Sequence, residues 1–127
     1  MGFSAYLRNG VTDSILRNQP LVVPVFAVSL HDSDPGDEGT SAASSLVSTE
    51  EERAQVTASA SMDGLGQSTG DPATWEITEA SSTTITYIGG HDAFTSGNWL
   101  GAAQVAQPVT VVDGDVVHLA SFSIEVD

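Results

Sequence analysis

The chain has 127 residues, 40% of them apolar, no cysteine, and a net charge of −14 from seventeen acidic residues against three arginines and no lysine. That length makes one domain with an ordinary hydrophobic core, and the missing cysteines exclude disulfides, thiolate metal sites and cysteine nucleophiles. The sign of the charge excludes nucleic-acid binding through phosphates and attachment to anionic membranes.

So acidic a surface repels itself at ordinary salt, where the Debye length is about 8–10 Å, and is relieved near 1 M, where it is about 3 Å. Two readings follow: a protein from a saline habitat, or an acidic surface that meets a basic or cation-rich partner. A thermal transition lost on removal of salt marks the first. The start of the chain has no basic segment leading into an apolar run, and Tyr6 occupies the position where a myristoylation signal has Ser or Thr. The longest mostly apolar stretch, residues 21–30, is too short to cross a bilayer. A soluble protein is expected.

Residues 3–17 are predicted as an amphipathic helix, with Phe3, Tyr6, Leu7, Val11, Ile15 and Leu16 on one stripe. Ser4 is its candidate cap, Gly10 weakens its middle by about 1 kcal/mol, and Asn18-Gln19-Pro20 ends it. Residues 21–30 read as a strand covered on both faces, with Pro24 implying an edge or bulge. Residues 31–45 read as loop, 53–62 as strand and 64–72 as loop. Residues 74–78 and 83–88 alternate as half-buried strands, and Gly89-Gly90 is expected to break the second. Ser96-Gly97-Asn98 is a turn, followed by a strand over 99–105. Asp113-Gly114 between the β-branched runs 109–112 and 116–126 predicts a hairpin. These elements describe an all-β domain, a β-sandwich or jelly-roll over 21–127, preceded by a helical arm over 1–20.

Chemistry is sparse. Asp32, Asp34, Asp37 and Glu38 put four carboxylates in seven residues, the ligand type that hard cations want. The spacing misses the EF-hand pattern, and Asp-Pro-Gly-Asp is also an ordinary surface turn, so loosely held cations are the expectation rather than a cofactor. His31, His91 and His118 and many serines are present, but no nucleophile elbow and no phosphate-binding loop accompany them, and no enzyme is expected. Trp75 and Trp99 are read as core, with a ligand platform as the alternative. The helical stripe must dock on the chain's own sandwich or on a neighbouring subunit.

The assembled motifs resemble a family of small virion proteins of tailed bacterial and archaeal viruses, described as tail-fibre-like or capsid-decoration proteins. Phe3, Tyr6, Leu7 and Asn9 match its opening helix; Ser29, Leu30, Pro35, Gly36, Asp37 and Gly39 match a strand and acidic loop. Ile88, Gly89, Asp92, Gly97, Asn98, Leu100, Gly114 and Asp115 match its later turns, while residues 40–70 have no match. The resemblance implies a non-enzymatic β-domain on the virion, a homo-oligomer that contacts the major capsid protein and copies of itself. Phe3, Tyr6, Leu7, Val11 and Ile15 are the expected oligomer or capsid contacts. A capsid decoration or turret protein on the outside of the head is the expected role, with a tail-fibre or host-attachment module as the alternative; in the latter, Phe94 and Trp99 would face a glycan or surface protein. A haloarchaeal tailed virus is the expected source. A secreted carbohydrate-binding sandwich would need a signal peptide.

Overall fold

The computed structural model describes residues 2–58, 65–69 and 72–125. The N-terminus begins as a short strand, β1 (Gly2–Phe3), paired with Gly101 and Ala102, so the helix starts later than its apolar spacing predicts. Ser4 then caps α1 (Ala5–Leu16), its buried hydroxyl accepting from the Leu7 N–H at 3.2 Å. Asn18 turns the chain out of the helix with φ 52°. Gly10 faces inward, where an added Cβ would lie 2.7 Å from Leu21 Cδ1. Close approach of helix and returning chain therefore accounts for a residue of low helix propensity.

A five-stranded antiparallel sheet follows the order β1-β8-β7-β2-β3, with β2 (Ala27–His31), β3 (Ala54–Gln55), β7 (Thr83–His91) and β8 (Trp99–Val111). All five residues of β2 are buried, as its small and apolar side chains on both alternations predict. The strand begins at Ala27 instead of residue 21; Pro20 and Pro24, which lack ladder donors, lie in the irregular approach to it. Gly89-Gly90 does not break β7. The strand runs through to His91, because a Cβ at Gly89 would lie 2.7 Å from Trp99 Cζ3 and 2.9 Å from His31 Nε2. The glycine makes room for side chains crossing the sheet.

The second layer holds β6 (Ala73–Glu76) paired with β9 (Val116–Leu119), and a separate three-stranded sheet sets β5 (Leu65–Thr69) between β10 (Ser123–Glu125) and β4 (Thr57–Ala58). Residues 65–69, expected as loop, thus form a strand that bonds on both edges. The expected strand over 53–62 appears as β3 and β4, separated at Val56; residues 59–62 lie outside the described residues. The expected final strand is divided in two by residues 120–122. A one-turn helix, α2 (Ala42–Ser45), interrupts the acidic loop.

Asp113-Gly114 makes its turn, with Gly114 at φ 89°, but not the expected hairpin. β8 pairs with β7, and β9 pairs with β6. Gly114 N–H donates to Ile77 O and Ile77 N–H to Asp115 O, each at 2.8 Å, so the turn carries the chain from one layer to the other. Val28, Leu30, Ile85, Ile88 and Val111 of the large sheet meet Ala73, Trp75 and Ile77 of the second layer. The fold is all-β with a short N-terminal helix.

Candidate functional site

The acidic loop is absorbed into local structure. Asp34 Oδ1 accepts from the Gly36 N–H at 2.8 Å, closing a turn in which Gly36 takes φ 85°. Glu38 Oε1 accepts from the Ala5 N–H at 2.7 Å and lies 3.4 Å from Arg8 Nη2, so it anchors the first turn of α1. Asp32 accepts from Ser33, and Asp37 stands over Gly2. Among the described residues, no three His, Asp or Glu side chains converge as cation ligands.

The helix presents a different kind of surface. None of the residues of α1 is buried; Ile15 and Leu16 are each 75% exposed, and Tyr6 and Val11 are also exposed. Phe3 and Leu7 are half-buried. At about 100° per residue, Leu7, Val11 and Ile15 form a row one turn apart, whereas Tyr6 and Ile15 lie about 180° apart. The apolar positions therefore do not make one stripe. Tyr6 faces a groove closed by Leu21 and Val22, and Val11 and Ile15 face outward. The inner side is held by small contacts: Gly10 against Leu21, and Ser14 Oγ accepting from the Leu21 N–H at 2.8 Å.

Sequence spacing misses a third feature. Ser29 Oγ lies 2.7 Å from His31 Nε2 and 2.8 Å from His91 Nε2, and His31 Nδ1 lies 2.9 Å from Ser45 Oγ. All four residues are buried. Ser45 commits its proton to Ser41 O at 2.7 Å, so its oxygen accepts from His31 Nδ1–H. His31 Nε2 then accepts from the Ser29 hydroxyl, which in turn accepts from His91 Nε2–H. One direction of donation is consistent with all three bonds of the row. Trp99 crosses both rings edge-on, at centroid distances of 5.8 and 4.9 Å.

Burial pushes His31 down to about 4 against the opposing charge of Asp32, and pushes His91 down to about 4 with help from the positive charges of Arg53 and His31 and against Asp92. Both imidazoles are neutral at pH 7. Ser29 has two histidines but no carboxylate partner among the described residues, and it is sealed from solvent, so the cluster is an interior brace rather than a nucleophile–base pair. Trp75 sits in the core, and His118 is exposed beside Thr74.

The loop joining β7 and β8 is braced from both sides. Asp92 accepts from the Asn98 N–H at 2.7 Å and from Asn98 Nδ2 at 2.9 Å. Burial would raise the Asp92 carboxyl, but these bonds outweigh it and hold it below the usual carboxylate range. Arg53 Nη1 donates to Ala93 O and Ser96 O, each at 2.8 Å. Phe94 projects half-exposed from this loop, whereas Trp99 folds inward over the histidines.

Among the described residues, then, His31 and His91 are sealed inside, His118 is exposed, and apolar groups are displayed on the helix and on the Arg53-braced loop. No curated protein matches the sequence. The family described as podophage GP4 fiber I protein gp80 matches it over residues 2–127, which covers helix, loop and both layers, and the chain belongs to that family of tailed-virus fibre proteins.

Proposed function

We propose that this chain is a non-catalytic building block of a virion tail fibre. The observation that carries this reading is the family match, which runs almost end to end and concerns a fibre protein; it favours the tail-fibre alternative over decoration of the head. The interior supports it, because the Ser29, His31 and His91 cluster is buried and hydrogen-bonded within itself. In this reading Phe3, Tyr6, Leu7, Val11 and Ile15 contact other virion subunits, and the Arg53-braced loop offers Phe94 to the outside. No cofactor is required, and the acidic surface keeps unassembled copies apart.

Labelling of virions with antibodies against the chain, together with densitometry of purified particles, tests the reading. Label on the tail at a few copies per particle is expected. Label over the head at hundreds of copies would return the protein to capsid decoration.

A further inference from the structure

The histidine row lies on the far face of the large sheet. Ser29 and His31 alternate along β2 with Val28 and Leu30, which belong to the core, so the row is turned away from the second layer. Trp99 and the acidic loop cover it. The Trp99 ring is held between two glycines: a Cβ at Gly39 of the loop would lie 2.6 Å from its Cδ2, and one at Gly89 of β7 would lie 2.7 Å from its Cζ3. The neck of the loop is closed by Asp32 N–H to Ser45 O at 2.9 Å and by His31 Nδ1 to Ser45 Oγ, also at 2.9 Å. The N-terminal arm is fastened to these same parts. Glu38 of the loop accepts from the Ala5 N–H, and Asp37 stands against Gly2. Directly after Trp99, Leu100 O accepts from the Ser4 N–H at 2.8 Å, and Gly101 and Ala102 pair with β1.

We propose that the row is an acid-sensitive catch: a proton on His31 Nε2 lifts the acidic loop and Trp99 off the sheet and so frees the N-terminal arm, while the two-layer body stays folded. The catch does not depend on the fibre reading. Its logic lies in the count of protons. In the neutral row the Ser29 hydroxyl gives its hydrogen to His31 Nε2 and takes one from His91 Nε2–H. A proton on His31 Nε2 aims two N–H groups at one oxygen and deprives the Ser29 hydrogen of its acceptor. The surrounding groups divide. Asp32 and the Ala42 carbonyl favour a charged His31; Asp92 favours a charged His91, whereas Arg53 and His31 oppose it. Burial outweighs the favourable groups at both rings, and opening removes the burial by wetting them. The closed fold keeps both imidazoles neutral until about 4, whereas wetted rings take protons from about 6.5. Opening therefore binds as many as two protons, and its equilibrium shifts by up to about a hundredfold per pH unit over that interval. The core side chains face the second layer and have no part in the row, so the body outlasts the release.

Pulsed hydrogen exchange on the full-length chain, from about pH 7 to about pH 4 and corrected for the intrinsic effect of pH on exchange, tests the catch. Amides of α1 and of residues 32–46 should lose protection by about tenfold or more as the pH falls through the interval, ahead of the amides of Val28, Ile88 and Val117. His31→Gln with His91→Gln removes both proton-taking rings and should keep loop and arm protected to about pH 4. In the wild-type protein the ring signals of His31, followed by nuclear magnetic resonance, should titrate at the midpoint of the release. Protection that is unchanged over the interval overturns the proposal, as does protection lost from arm, loop and core in a single step. A folded double variant that still frees the arm at the same pH assigns the release to the carboxylates of the loop and overturns it too. Should that variant misfold, a wild-type His31 that stays neutral through the release is equally decisive against it. None of these outcomes bears on where the protein sits in the virion.

Discussion

The middle of the large sheet and the N-terminal helix treat their side chains in opposite ways. Between β2, β7 and β8, polar groups are buried: Ser29, His31 and His91 lie under Trp99, and each hydrogen bond fixes the proton of the next. On α1, apolar groups are exposed, and the helix is held by a serine cap, a glutamate from the acidic loop and two contacts to the returning chain. In the first region the serine and both histidines find partners within one chain, as buried polar groups generally must, while the Trp99 indole N–H lies buried without one. The second keeps Val11, Ile15 and Leu16 uncovered by the described residues. A hydrogen-bonded centre thus lies beside a helix whose apolar side chains stay exposed.

The contrast can be broken most severely in the core beside the sheet. Trp75→Ala should cost about 3–5 kcal/mol, read as a large drop in denaturation midpoint, because the ring is almost wholly buried between the layers. Acid sharpens the distinction next. The unfolded chain takes up protons on His31 and His91 below about 6.5, whereas the fold holds both neutral until about 4. Stability is therefore complete above about pH 6.5 and falls as the pH drops toward 4, by at most about 3 kcal/mol for each imidazole. Chemical denaturation at successive pH values measures it, and replacing both histidines by glutamine should flatten the slope over that interval.

Gly89→Ala tests whether the strand needs its glycine. The new methyl would press on Trp99 and His31, at an expected cost of about 1–3 kcal/mol in thermal or chemical unfolding. The mildest effect belongs to the arm. Ser4→Ala removes the cap and should cost about 1 kcal/mol, seen as loss of helical dichroism at 222 nm ahead of the sheet transition. An equal loss from both regions would show that the arm is part of the framework after all.

Much of this was legible one residue at a time. Ser4 as a cap, Asn18 through Pro20 as a stop, the alternation around Trp75 and the turn at Ser96 to Asn98 all follow from local conformational preference, and the structure places each accordingly. Three features were not legible. Gly89-Gly90 resembles a break, yet it passes through the sheet because Trp99 and His31 lie against it. Asp113-Gly114 resembles a hairpin turn, yet its two arms pair with different partners. Ser29 and His91 are 62 positions apart and meet only through the pairing of β2 with β7.

By itself the sequence determined the all-β character, the terminal helix and the concentration of negative charge away from the first 31 residues, since periodicity, turn chemistry and charge are written locally. Only the tertiary structure decided that His31 and His91 form a neutral interior brace and that Val11, Ile15 and Leu16 of α1 stay in the open. Both depend on which distant surfaces meet, and burial and its cost exist only once they have.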